Sequence, residues 1–174
     1  ATSADTSTST ASYTIGVTDF DEYDVSAISD DDTTANTLVE NASSGAAVGI
    51  TASASDSDGT TNTITYSLSS NPGSLFAIDS STGIVTLSST GSLDYETATS
   101  HTIEVTATSA DTSTSTASYT IGVTDFDEYD VSAISDDDTT ANTLVENASS
   151  GAAVGITASA SDSDGTTNTI TYSL

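Results

Sequence analysis

The chain reads as all-β, a tandem array of Greek-key β-sandwiches of about seven strands each, and three observations lead there. Short apolar stretches alternate with period two and are bounded by turn residues, the pattern of half-buried strands. No stretch carries the 3.6-residue periodicity of an amphipathic helix. Residues 1–68 recur unchanged at 107–174, an offset of 106 residues. A period that long is a whole domain in tandem, not one turn of a solenoid.

Taken in order, residues 1–12 are polar loop and a strand end, and Tyr13–Val17 is the first alternating strand. Its second copy, Tyr119–Val123, closes the complete repeat. Between them Val25–Ile28 and Thr37–Glu40 read as one strand interrupted by Asp30-Asp31-Asp32. Ala47–Ala54 places Val48, Ile50, Ala52 and Ala54 on one face. Thr63–Leu68, Leu75–Ile78, Gly83–Leu87 and His101–Ala107 follow, the last with Ile103, Val105 and Ala107 on one face. Asp56–Gly59, Asn71-Pro72 and Asp79–Gly83 are turns, with Asp79 as a turn former. The expected core is thin, made of alanine and β-branched side chains with Tyr66, Phe76, Tyr95 and Tyr119. The expected boundaries are 1–22 for the C-terminal strands of an upstream repeat, 23–128 for one complete repeat, and 129–174 for the N-terminal part of the next.

Composition removes several functions. The chain has 26 Asp plus Glu, no Lys, Arg or Cys, and a formal net charge of −26. Such a polyanion has nothing with which to hold DNA, RNA or an anionic membrane surface. Lysine isopeptide and disulfide staples are excluded. No apolar run approaches the ~18 residues of a membrane span, and no signal peptide begins the chain. The single histidine, His101, is expected at a strand edge, and no nucleophile or second metal-binding nitrogen accompanies it. The chain is therefore read as non-enzymatic. No regular threonine array on one strand face is expected, so the Ser/Thr richness is not read as an ice- or sugar-contacting surface.

The carboxylates are not scattered. They gather at strand ends and turns: Glu40, Asp56 with Asp58, Asp94 with Glu96, and the nine-residue Val-Thr-Asp-Phe-Asp-Glu-Tyr-Asp-Val at 17–25 and 123–131. Two carboxylates ~4 Å apart at an effective dielectric near 20 repel by about 4 kcal/mol, so such clusters call for a cation or for separation. Ca²⁺ takes oxygen ligands from alternate residues of extended segments, and Asp56-x-Asp58, Asp94-x-Glu96 and Asp125-x-Asp127 have that spacing. Asp30-Asp31-Asp32 is either an extra calcium site or a polar turn.

Leu38-Val-Glu-Asn41, Ala54-Ser-Asp-Ser-Asp-Gly59, Ile64–Leu68, Leu75–Val85, Leu93-Asp-Tyr-Glu96 and the acidic nine-mer, in that order, resemble the core and calcium motifs of cadherin-like domains. The resemblance is closest to the extender repeats of giant bacterial RTX-type adhesins, among them an ice-binding adhesin of a polar marine bacterium. It implies Ca²⁺ at each junction, several ions per repeat, shared by neighbouring domains. Carried over, the second junction takes Glu40, Asp94 and Glu96 from the preceding domain. The hinge gives Asp125, the Phe126 carbonyl, Asp127 and Glu128, and the following domain gives Asp162, Asp164 and a carbonyl near Asn168. The first junction takes Asp19, Asp21, Glu22, Asp56, Asp58, a carbonyl near Asn62, and Asp111. The hinge departs from the usual cadherin pattern, with Asp127 and Glu128 where Asn and Asp are usual and Tyr129-Asp130-Val131 in place of Asn-x-Pro. The implied role is a secreted, extracellular spacer on the surface of a bacterium. Its partners are the neighbouring identical repeats and a distal ligand-binding domain elsewhere in the protein; the alternative is a homophilic or glycan-binding module.

Overall fold

The computed structural model describes residues 1–174. Two four-stranded sheets face each other across one core. The strands are β1 (Ser29–Asp30), β2 (Thr37–Val39), β3 (Ala47–Ser53), β4 (Ile64–Ser70), β5 (Phe76–Ile78), β6 (Ile84–Leu87), β7 (Ser100–Ser109) and β8 (Thr114–Thr124). One sheet has the order β1-β3-β6-β5 and the other β2-β8-β7-β4. All pairs are antiparallel except β2 with β8. β1 and β2 are one strand split between the sheets, and the chain crosses from one sheet to the other at 31–36.

Asp30 makes that crossing possible. Its Oδ1 accepts the backbone N–H groups of Asp32 (3.1 Å) and Thr51 (3.0 Å), and its Oδ2 accepts Asn36 Nδ2 (3.3 Å). Asp32 accepts the N–H and hydroxyl of Thr34. The acidic triplet is thus a hydrogen-bonded turn, and Asp30 lies within β1 instead of interrupting a strand. Asp79 accepts the N–H groups of Ser81 (3.0 Å) and Thr82 (2.8 Å), the expected turn. Gly83 ends this turn at φ +73°, and a Cβ there would collide with the Ala52 carbonyl oxygen.

Fifteen buried apolar side chains form the core, with Val48, Val85, Ile103, Val105, Ala107 and Ile121 fully enclosed. Tyr66 and Phe76 are buried, while Tyr95 and Tyr119 pack against the cluster from its margin. His101 is the second residue of β7, beyond the last β4 partner at Glu104, and its half-buried ring meets Phe76 edge-on with centroids 6.1 Å apart.

β8 extends the expected strand backward to Thr114, through a Ser/Thr stretch with little apolar alternation to announce it. This corrects the expectation about threonine. Thr102, Thr106 and Thr108 of β7 stand opposite Thr120, Thr116 and Thr114 of β8 in register, on the face away from the core. Thr102 and Thr120 bring their hydroxyls to 3.4 Å. Cross-strand threonine pairs of this kind stabilise a sheet without apolar burial, which suits a chain with a small core.

Repetition supplies internal controls. Ile121 and Val123 are 0% and 4% exposed, whereas the identical Ile15 and Val17 are 86% and 94% exposed. Ala47–Ser53 is a seven-residue strand, but its copy pairs only at β10 (Ala158–Ser159) with β9 (Ser135–Asp136). Only one copy of residues 69–106, which build β5, β6 and most of β7, lies in the sequence. The β7–β8 turn behaves differently. Thr108 pairs with Thr114, and Thr2 bridges Thr8, each with a left-handed threonine (Thr112 φ 80°, Thr6 φ 67°). That turn is encoded locally; the strands beyond it need their sandwich.

Candidate metal sites at the two junctions

At the second junction, Glu40 leaves β2 with its N–H still bonded to the Thr124 carbonyl (3.1 Å). Its side chain is 9% exposed. Oε2 accepts the Tyr95 N–H (2.6 Å) and Oε1 the Phe126 N–H (2.7 Å). Glu40 therefore ties together the end of β2, the Leu93–Glu96 loop and the hinge. Glu40, Glu96, Asp125 and Glu128 bring carboxylate oxygens within 4.8 Å of one another, with no Lys or Arg anywhere to neutralise them.

The following copy approaches this group through Asp164, which is 1% exposed although it is a carboxylate. Its Oδ1 accepts the N–H groups of Glu128 (3.2 Å) and Tyr129 (3.5 Å), and its Oδ2 is buried with no partner. Asp125 Oδ1 is also buried and unpartnered, while its Oδ2 accepts the Thr166 hydroxyl. Asp162 accepts the Asp164 N–H (3.2 Å). Contact with the Asp164 carboxyl raises the pKa of Asp127. Burial, then Glu40, Glu96, Asp164 and Asp125, raise that of Glu128.

Asp94, Asp127, Asp162 and Asp164 stand outside the four-acid group. Asp94 turns to its own loop and accepts the N–H and hydroxyl of Thr97, both at 2.8 Å. The same carboxylate closes the turn of its own loop. Phe126 engages Glu40 through its N–H, and its ring is 46% exposed.

At the first junction Asp21, Asp58 and Asp111 form a second group within 4.8 Å. Asp111 reaches it from the β7–β8 turn, where its Oδ1 accepts the Ser113 N–H (2.7 Å). Asp58 is 3% exposed and accepts the N–H groups of Glu22 (3.2 Å) and Tyr23 (3.3 Å). Asp56 accepts the hydroxyl of buried Ser109, and Asp19 that of Thr60 (2.8 Å). The Asn62 amide donates to the Asp58 carbonyl (2.7 Å). The Glu22 side chain stands outside the group; no counterpart of Glu40 or Glu96 precedes it in the sequence. Ser109, Ser113, Thr60 and Thr166 escaped the sequence reading, because hydroxyls are so frequent here that none stands out.

The donors are carboxylates, hydroxyls and carbonyls with no imidazole or thiolate. That set suits a hard cation and, with so many oxygens on flexible segments, calcium over zinc. The two buried unpartnered oxygens of Asp125 and Asp164 fit the same conclusion, since a buried acceptor without a partner is costly.

A hydrogen bond to Asp58, then burial and the charges of Asp111, Asp58 and Asp56, push the Asp21 pKa up to about 6. Without metal, the stabilisation from protonating it is fully present below the ordinary carboxylate range and is lost as pH rises through about 6. A cation needs the ionised form, so calcium affinity is expected to fall as pH drops through about 6. Titrating calcium above and below that pH checks the sign; equal affinities would remove Asp21 from the site.

A two-sheet sandwich with acid-lined ends, in a sequence that repeats, defines a class of tandem β-sandwich module. The cadherin domain family matches residues 34–124, and the chain belongs to that family. Among solved structures, the chain is similar to extracellular cadherin domains 1–4 of protocadherin gamma B7, at 25% identity and a TM-score of 0.66, covering 84% of this chain and 34% of that one. Protocadherin gamma B2 domains 1–5 give 24% and 0.64, covering 84% and 27%. Mouse cadherin-23 domains EC22–24 give 21% and 0.64, covering 84% and 46%. The chain thus spans between a quarter and a half of the length of these structures. Comparison with curated proteins returns no match. Cadherin domains are extracellular, non-enzymatic modules that generally bind Ca²⁺. No helix here is long and apolar enough to cross a membrane.

Proposed function

We propose that this chain is part of the extender region of a long secreted bacterial surface adhesin, a calcium-stiffened spacer that projects a distal binding domain from the cell. The domain boundaries in this reading are 1–22, 23–128 and 129–174. Its main support is the Glu40, Glu96, Asp125 and Glu128 group, drawn from a folded sandwich and its hinge and closed by buried Asp164 of the next copy. The two junctions present complementary halves of one site. The second has the preceding domain's Glu40 and Glu96; the first has the following domain's Asp111. Placed on one 106-residue period, they complete each other around the hinge acids. Calcium there would join a carboxylate-rich hinge to both flanking sandwiches, and a jointed string would become a rod. Exact repetition suits a part whose length is its function.

Small-angle scattering on three tandem repeats tests this. Calcium should lengthen and stiffen the chain, and chelator should restore a shorter, broader distribution. Identical profiles in both conditions would overturn the spacer reading. Exposed Phe126 (46%) and Tyr129 (48%) at the hinge favour a second reading, a calcium-dependent adhesive surface. Self-association of repeats in calcium would support it, and strictly monomeric behaviour would not.

A further inference from the structure

The Asp-Ser-Asp-Gly turn occurs twice with the same sequence, at 56–59 and 162–165, in different surroundings. Neither glycine has a left-handed φ, so the backbone itself does not demand glycine at either place. At Gly59 an added Cβ would meet only the Asp19 carboxylate, at 3.3 Å. At Gly165 it would lie 2.5 and 2.6 Å from Cδ1 and Cε1 of Tyr95 and 2.8 Å from Oε1 of Glu96. Those distances leave no room for a methyl group. Tyr95 cannot easily retreat. Its ring packs against the core cluster, and its N–H is held by Glu40 at 2.6 Å.

We propose that Tyr95 seats on the bare backbone of Gly165 as the contact that sets the angle between consecutive repeats. The repeat that follows is accepted only if the residue after the second aspartate of its turn has no side chain. The partner is the next copy of this chain. Calcium supplies attraction between the two halves of the junction but little direction, because its coordination shell is pliable. A rigid ring packed closely against a glycine restricts direction more, since close-packed surfaces tolerate little overlap. The inference rests on the tandem junction reading and adds the element that decides its geometry.

Nuclear magnetic resonance on the full chain tests it, with Gly59 as the internal reference. In calcium, the Gly165 amide and α-proton resonances should be displaced from those of Gly59 by the Tyr95 ring. Tyr95→Leu should remove that displacement and leave Gly59 in place. In calcium, Gly165→Ala and Tyr95→Ala should each let residues 129–174 reorient independently of the sandwich. The double variant should be no worse than either single one, because both remove the same contact. Unchanged Ile103 methyl resonances would confirm that the sandwich stays folded in each variant. Coincident Gly59 and Gly165 resonances, or additive effects of the two alanines, would overturn the proposal. So would a Gly59→Ala variant that loosens the second junction as much as Gly165→Ala. The two readings fail separately. A persistent Gly165 displacement with no calcium stiffening removes calcium and keeps the contact; stiffening with coincident glycines does the reverse.

Discussion

Glu40→Ala is expected to uncouple the second junction, while the same substitution at Glu146 is expected to do nothing measurable. The two glutamates occupy identical sequence, Leu-Val-Glu-Asn. Glu40 is buried and accepts the Tyr95 and Phe126 N–H groups, whereas Glu146 is exposed. Removing the Glu40 carboxylate leaves two partly buried N–H groups without acceptors, at about 1–3 kcal/mol for each that stays dry. It also takes one of four acids from the cluster. At an effective dielectric near 20 a charge ~4 Å from a partner interacts by about 4 kcal/mol, so calcium affinity should drop by at least roughly tenfold, or about 1.4 kcal/mol. Glu40→Gln separates the causes. It keeps one acceptor oxygen and the packing but loses the charge, so its calcium defect should approach that of alanine while its metal-free melting point falls less. Calorimetric calcium titration and thermal unfolding in chelator read the two effects. A Glu40→Gln variant with normal calcium affinity would remove this residue from the proposed site.

The strands that were legible in the sequence are those whose inward residues are apolar. Val48, Ile50 and Ala52 on β3, and Ile103, Val105 and Ala107 on β7, announce their face by alternation alone, and all are buried. The start of β8 was not legible, because Thr114–Ser118 has almost no apolar alternation and is held as strand by its partner β7. β1 was misplaced to Val25–Ile28 for a related reason. Val25 is buried like a strand residue, yet its N–H bonds to the Ser113 hydroxyl (2.9 Å) and not to a ladder. Among the acids, spacing shows which are able to converge but not which are already engaged. Glu96 and Asp94 share one Asp-x-Glu segment; Glu96 faces Glu40 and Asp94 faces Thr97. Asp111 lies in the β7–β8 turn, and that turn brings it to Asp21 and Asp58. Gly165 gave no sign, since its crowding comes entirely from another repeat.

Ile103→Ala should leave the chain unfolded in chelator and folded in excess calcium. Ile103 is fully enclosed on an inner strand, opposite Tyr119. Truncating such a residue costs about 2–5 kcal/mol, set against a total stability of about 5–15 kcal/mol for an ordinary domain. This core is small, and the acids at its ends repel one another without a cation, so the metal-free sandwich belongs at the low end of that range. Calcium acts in the opposite direction. A site bound only in the folded state contributes about 2.7 kcal/mol at 100 times its dissociation constant, and the two junctions both border this sandwich. The loss at Ile103 and the gain from two sites are therefore of the same size. Circular dichroism melts of wild type and Ile103→Ala, each with calcium and with chelator, would show it. Ile15→Ala is the control: it removes the same atoms at a side chain 86% exposed, and should shift neither melt. If calcium raised the wild-type midpoint but could not restore the fold of Ile103→Ala, the core would outweigh the junctions as the source of stability. If it raised neither, the acidic groups would not be calcium sites of the folded state.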